Sequence, residues 1–292
     1  MKPVVIFNPR AGSIENAQET MSLFNNLKPA RILITRKKGD AAKWAQQIIR
    51  SGGDYVIAAG GDGTLNEVVD GTARANLPTR IGLLPLGTGN DFARTLDLPS
   101  SVEENINILR AGKSRALDLV HVRSKRGRYF VNVSAGGFGG IVRKKITPEI
   151  KRSWGPLAYI RGAAAALPNL HAYQTRIVVD DKEAFSLIVY NVVIANGRYV
   201  AGGLHIAPEA DPADGLLDVV LIPKRNAAEL ALVAAQIVLG THWSSNLIIT
   251  RRARKISVRS RPVMRFNLDG EPGGSAPAEF QILPRALNFV VK

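Results

Sequence analysis

Apolar residues in the first third of the chain fall into short continuous runs, with stretches of helical spacing between them. Residues 3–7, 30–34, 55–59 and 80–84 are nearly unbroken apolar segments, the mark of strands buried on both faces. Between them, Met21, Phe24 and Leu27 share one helical face over residues 14–27, and Gly39-Asp40 opens a helix running through Trp44, Ile48 and Ile49. A third helix is predicted behind the third strand, over Asp62 to Arg74. Strands alternating with helices predict right-handed βαβ units around a parallel sheet, which binds ligands at the carboxyl ends of its strands. Asn8, Thr35, Gly61 and Thr88 each follow a strand, so all four lie on that edge.

The period changes near residue 116. Strand-like runs follow at 117–122, 129–134, 175–179, 186–195, 216–222, 256–259 and 263–268, joined mainly by turn residues. This pattern predicts an antiparallel sheet or sandwich. Two helical insertions are expected, around Tyr159–Leu167 and Ala227–Leu239. With no repeat and no low-complexity linker, the change of period alone places a domain boundary near residue 122. The fold class is α/β: a doubly wound domain over 1–122, then a β-rich domain over 123–283.

Composition narrows the class. The 292 residues are 46% hydrophobic and include no cysteine, so disulfides and thiolate metal sites are excluded. The apolar run after Met1 is too short for a signal peptide, and no run approaches the ~18 residues of a spanning helix. The net charge of +15 is uneven: residues 1–122 carry 15 basic and 12 acidic side chains, and residues 123–292 carry 24 and 12. No acid lies between Leu230 and Leu268, where Arg251, Arg252, Arg254, Lys255, Arg259, Arg261 and Arg265 all fall. Either these bases are simply solvated, or the second half meets an anionic partner, a membrane surface or a nucleic acid. With aromatics at only 6% and no aromatic-interleaved basic strand, a nucleic acid is not expected.

Four stretches carry chemistry. Gly60-Gly61-Asp62-Gly63-Thr64-Leu65-Asn66-Glu67 stands at a strand-to-helix turn, where glycines admit close approach of a ligand. Its amides and the helix start favour phosphate. An acid there, Asp62, makes sense if a divalent cation lies between the two, so the stretch predicts a nucleotide phosphate site with Mg²⁺. Gly87-Thr88-Gly89-Asn90-Asp91 repeats that logic, although alone it would read as a capped helix. Asp211-Pro212-Ala213-Asp214-Gly215-Leu216 is either an Asp-Gly turn or a hard-cation site combining carboxylate and carbonyl oxygens. In Asp269-Gly270-Glu271 a tight turn could aim both carboxylates at one point, to bind a metal or take a hydroxyl proton. The four histidines are scattered, without metal-ligand spacing.

Together, Asn8-Pro9-Arg10-Ala11-Gly12, Thr35 with Gly39-Asp40-Ala41, the diglycine stretch, Leu86 to Arg94 and Leu268-Asp269-Gly270-Glu271-Pro272 resemble the diacylglycerol kinase catalytic-domain family of soluble lipid kinases. The resemblance runs in order from Asn8 to Pro272. It implies an NAD kinase-like nucleotide domain, closed by a strand from about residue 284 to 292, and a lipid-binding β-sandwich. It further implies an ATP- and Mg²⁺-dependent kinase acting on diacylglycerol or a related membrane lipid. Gly61 to Glu67 would bind the ATP phosphates, with Asn8, Pro9, Arg10, Ala11, Gly12, Thr35 and Thr88 completing the pocket. Asp62, Asp91 and Asp118 would surround the catalytic metal, and Asp269 or Glu271 would be the base. A structural Mg²⁺ would sit on the Asp211 carbonyl, the Asp214 carboxylate and the Leu216 carbonyl. One departure is visible: Ser13-Ile14-Glu15-Asn16 replaces the lysine that many relatives carry after the first-loop glycine. The expected setting is cytoplasmic and peripheral to an anionic membrane, with a homodimer left open. The rival readings are a small-molecule kinase such as an NAD kinase, and a non-catalytic nucleic-acid binder.

Overall fold

The computed structural model describes residues 2–124, 127–137 and 170–292. The helical insertion expected around Tyr159–Leu167 lies outside them. Four parallel strands, β1 (Val4–Phe7), β2 (Arg31–Ile34), β3 (Tyr55–Gly60) and β4 (Arg80–Pro85), stand in the order β2-β1-β3-β4. The inner strands are buried on both faces, and β2 is the more exposed edge: Val5 and Phe7 enter one core with Phe24 and Ile57, while Ile6 enters the other with Val56, Ala58 and Val68. The helix predicted over 14–27 is shorter, α1 (Ala17–Leu23), and tightens into a 3-10 turn over Phe24–Leu27. That turn delivers Phe24 edge-on to Phe7, 5.1 Å between ring centres. Helices α2 (Asp40–Arg50), α3 (Asp62–Ala75) and the short α4 (Asp91–Thr95) fall where the pattern puts them. A further helix, α5 (Val102–Ala111), did not figure in the hydrophobic reading, yet Ser101-Val102-Glu103-Glu104 is a capping sequence and the Ser101 side chain accepts from the Glu104 amide at 3.3 Å.

The second half is a mainly antiparallel β-sandwich, continuous with the parallel sheet. The run predicted as one strand at 129–134 is two, β6 (Arg128–Phe130) and β7 (Val133–Gly137). The break follows from the Asp269 carboxylate, which takes the amides of Val131, Asn132 and Val133 at 3.1, 3.1 and 2.8 Å. Beyond β5 (Ser114–Arg123) the sheet is built from β8 (Tyr173–Val179), β9 (Glu183–Ala195), β12 (Leu217–Pro223), β13 (Ile249–Ala253) and β14 (Lys255–Arg261), with a small β10–β11 hairpin (Tyr199–Val200, Leu204–His205). Helix α6 (Ala227–Leu239) opens with a capping box between Asn226 and Glu229 and packs Leu230 and Val233 on Val193, Val220 and Ile222. The Asp-Gly-Glu-Pro stretch is a hairpin of β15 (Arg265–Leu268) and β16 (Glu271–Ser275). Asp269 and Gly270, at φ +47 and +84, form its two-residue turn, the left-handed pair that matches strand twist.

The last strand, β17 (Ala278–Val290), pairs antiparallel with β5 and β14, then parallel with β4 at Asn288 and Phe289. It bulges between Leu283 and Leu287, where Arg285 sits at φ +55. Asp118 fills that bulge. Fully buried on β5, it accepts from the Arg285 amide at 2.7 Å and from the Gly215 amide at 2.7 Å. This carboxylate therefore ties β17 to the turn before β12.

Asp118→Ala leaves two part-buried amides without their acceptor, at roughly 1–2 kcal/mol each. The expected loss of unfolding free energy, read from urea titration, is about 2–4 kcal/mol.

Candidate active site

The two glycine loops after β3 and β4 meet backbone to backbone. The Leu86 amide bonds to the Gly60 carbonyl at 2.9 Å, and an added Cβ on Gly87 would lie 2.5 Å from the Gly61 Cα. No side chain fits between them. Asn90, in the left-handed region, braces the second loop by accepting from the Gly87 amide at 2.9 Å and donating to the Gly87 carbonyl at 2.7 Å. Gly12 abuts the Thr88 hydroxyl, and the Ser13 hydroxyl donates to the Leu86 carbonyl at 2.7 Å, so the first loop joins the same edge. The Asn8 side chain donates to Thr64 Oγ1 at 3.2 Å, the Thr35 amide bonds to the Phe7 carbonyl at 2.8 Å, and Arg10 grips the Arg36 carbonyl. Pro9 lies between them in the loop, and Ala11 is buried in the core behind it.

The diglycine stretch divides by role. Gly61, Asp62 and Gly63 remain partly accessible at the start of α3. Leu65 is instead a core residue, and Thr64 is buried against Asn8 and Gly60. Asn66, also buried, donates to Asp269 at 3.0 Å. Glu67 accepts from the Gly39 and Ala41 amides at 2.8 and 3.1 Å, supplying the cap that Gly39 lacks at the start of α2. These last residues build the site rather than line it.

Asp62 and Asp91 form its acidic centre. Burial, then repulsion from Asp91, pushes the Asp62 carboxyl up to about 6. Its Oδ1 accepts from the Phe92 amide at 3.4 Å. Asp91 accepts from the Gly202 amide at 2.9 Å and the Gly203 amide at 2.8 Å, which fastens the β10–β11 hairpin over the site. A buried and a half-buried acid held together, one resisting ionisation, fit a divalent cation that would relieve their repulsion. Asp118, which the resemblance groups with them, is spent on Gly215 and Arg285.

The turn carboxylates diverge instead of converging, because Asp269 lies in the left-handed turn itself while Glu271 is already the first residue of β16. Asp269 points inward, where burial raises its pKa and four donors surround it: Asn66 and the amides of 131–133. Glu271 points out over α3. Its Oε1 lies 3.7 Å from where a Cβ on Gly63 would stand, and Oε2 pairs with Lys38.

The 211–216 turn does not fit a structural cation. Asp214 pairs with Arg252 and accepts from the Leu216 amide at 2.9 Å, while the Asp211 carbonyl takes the Asp214 amide at 3.2 Å and its carboxylate faces Arg115 at 3.4 Å. Two arginines already balance the acids. Among the described residues, no three His, Asp or Glu side chains form a ready-made metal cage. Sequence reasoning missed Gly202, Gly203 and Lys38; the Gly202-Gly203 pair after a strand was the available signal for the first two.

Two family descriptions match the chain. "Diacylglycerol kinase catalytic domain" covers residues 2–122, and "YegS C-terminal NAD kinase beta sandwich-like domain" covers residues 132–291. A Staphylococcus epidermidis diacylglycerol kinase is 32% identical over 288 residues, 94% of this chain and 87% of that one. The Bacillus subtilis diacylglycerol kinase is 31% identical over 293 residues, 98% and 95% of the two chains. Among solved structures, a Bacillus anthracis diacylglycerol kinase matches with TM-score 0.77 at 21% identity, covering 100% and 97%. Yeast NADH kinase complexed with NADH matches with TM-score 0.56 at 14% identity, covering 100% and 84%. Both structural matches show the fold.

Because the folded protein holds a proton on Asp62 more tightly than an unfolded chain titrating near 3.8, stability falls as pH rises from there through about 6. Asp62→Asn removes the buried charge. In metal-free buffer the variant should be up to about 3 kcal/mol more stable than the parent at neutral pH. Urea titrations repeated at falling pH should show that gain shrinking to nothing below the window.

Proposed function

The chain belongs to the diacylglycerol kinase family, and from that premise we propose that it transfers the γ-phosphoryl group of ATP to the hydroxyl of diacylglycerol or a related lipid, giving a phosphatidic-acid-type product. The observation that carries this reading is the placement of an accessible carboxylate, Glu271, over the glycine-lined start of α3. The close-packed loops around Gly12, Gly61 and Thr88 leave amides and a helix N-terminus for the nucleotide phosphates. Asp62 and Asp91 would hold Mg²⁺, which when bound neutralises phosphate charge. Asp269 has its oxygens taken by four donors, whereas Glu271 lies on the surface of the cleft; Glu271 is therefore the base. As the lipid oxygen bonds to the γ-phosphorus and the bond to ADP breaks, the hydroxyl proton passes to Glu271. Phosphoryl transfer asks a protein mainly for such positioning and charge balance.

A lipid acceptor requires contact with a bilayer. No helix among the described residues is long and apolar enough to cross one, and we read the protein as a cytoplasmic enzyme held peripherally. Cross-strand neighbours share a face: Arg176 stands opposite Arg259 and Ser186, and Gln174 stands opposite Arg261 and Ile188. The result is an open groove of about 460 Å³ rimmed by three exposed arginines, with exposed Ile188 beside them. That chemistry complements anionic lipid headgroups. No nucleic-acid partner is invoked.

Labelled-ATP transfer to a mixed-micelle panel of diacylglycerol, monoacylglycerol, phosphatidylglycerol, sphingosine and ceramide, with NAD as a separate arm, tests the assignment. Label should appear in a lipid; label in NAD alone would overturn it. Glu271→Gln should lower kcat by about 10²–10⁴-fold with little change in Tm. Replacing Arg176, Arg259 and Arg261 by glutamate should abolish flotation with anionic vesicles at low salt while leaving turnover on a water-soluble short-chain lipid intact.

A further inference from the structure

Lys38 lies on the β2–α2 loop, and that loop is fastened on every side. The Asp40 carboxylate accepts from the Arg36 and Lys37 amides at 2.9 and 3.0 Å, Glu67 accepts from the Gly39 amide at 2.8 Å, and Arg10 holds the Arg36 carbonyl. Gly39 turns the chain at φ +90, a conformation glycine supplies cheaply. The fixed loop sets where the Lys38 side chain starts, and its flexible stem leaves the ammonium free to change partners. Lys38 crosses from the nucleotide domain to pair with Glu271, the first residue of β16.

Glu271 itself hangs over Gly63, the second residue of α3, so an anion already occupies the electropositive helix start with Lys38 as its counter-ion. No other cation is poised there from the first loop: no Lys or Arg occurs between Gly12 and Lys28, and Arg10 is engaged with Arg36. A nucleotide phosphate carries more charge than a carboxylate and would compete for both the amides and the lysine.

We propose that Lys38 is a further catalytic residue. In the nucleotide-free enzyme it is held by Glu271; on binding of a nucleoside triphosphate it passes to the γ-phosphoryl group. Its departure leaves the Glu271 carboxylate free to receive the acceptor's hydroxyl proton. Lys38 keeps its own protons throughout, and the bond formed to phosphorus is matched by the one broken to the diphosphate. Loading the donor thus releases the base, which couples the two substrates. This inference rests on the reading of the site as an ATP-dependent kinase.

Calorimetric titration of the full chain with ADP and with the β,γ-imido analogue of ATP tests it. Lys38→Met should weaken the analogue by about tenfold or more, the scale of a charge-assisted hydrogen bond, and ADP by less than about twofold. Lys38→Arg should restore most of the difference. Glu271→Gln should tighten the analogue clearly more in the parent than when Lys38 is methionine, where only the competition for the helix-start amides remains. Equal weakening of both nucleotides by Lys38→Met, or a Glu271→Gln effect that is the same in both backgrounds, overturns the exchange while the kinase reading stands. A parent protein that binds neither nucleotide overturns both. Thermal melts of each variant report whether it is folded, and the Glu271 cycle reads the exchange through a second residue.

Discussion

One buried carboxylate links the two halves of the cleft and sets the course of the chain around it. Asp269 gathers three consecutive amides of the β-rich domain and the side-chain amide of Asn66 on α3. Four donors compensate an ion that burial alone would drive to neutrality. The arrangement breaks what would be one strand into β6 and β7. It fixes the hairpin turn in its left-handed form and so decides that Glu271, two residues on, faces the start of α3. Were Asp269 to face outward, its bond to Asn66 and the direction of Glu271 would both be lost.

Around that anchor the site is made from backbone more than from side chains. Gly61 and Gly87 touch through their main chains, and the Gly202 and Gly203 amides clasp Asp91. Glycine at these positions removes bulk and leaves N–H groups as the surface a phosphate meets. The two acids there share a desolvated pocket, and burial first, repulsion from Asp91 second, raise the Asp62 carboxyl.

Much of this was legible in the chain, and the limits have physical causes. Buried parallel strands write continuous apolar runs, so β1 to β4 and their carboxyl edge could be read directly. Helix α6 could be read to its ends because Asn226 and Glu229 cap it, yet α5 escaped although Ser101 and Glu104 spell the same signal. Antiparallel strands with one wet face leave a weaker trace, and β13, β16 and most of β17 were missed. Among site residues, the motif showed that Gly61 to Glu67 mattered without separating those that face the cleft from Leu65, Asn66 and Glu67, which build it. Asp118 is the lone acid of an apolar strand and Asp269 has another acid two residues on; only their partners, 97 or more residues away, reveal them as structural bonds. Lys38 was one base among three neighbours, and its position comes from a loop geometry no pattern encodes.

The route of β17 bears on how the protein is made. The parallel sheet takes its strand beside β4 from Asn288 and Phe289, more than two hundred positions along the chain from β4 itself. A nascent chain emerging amino end first therefore exposes the β4 edge and the core places of Leu287, Phe289 and Val290 until β17 has been synthesised. Folding must wait for long-range pairings, which are slow to form and leave strand edges open to other chains. A fragment cut at the change of period near residue 122 would carry every nucleotide-side loop and still lack a wall of its own sheet.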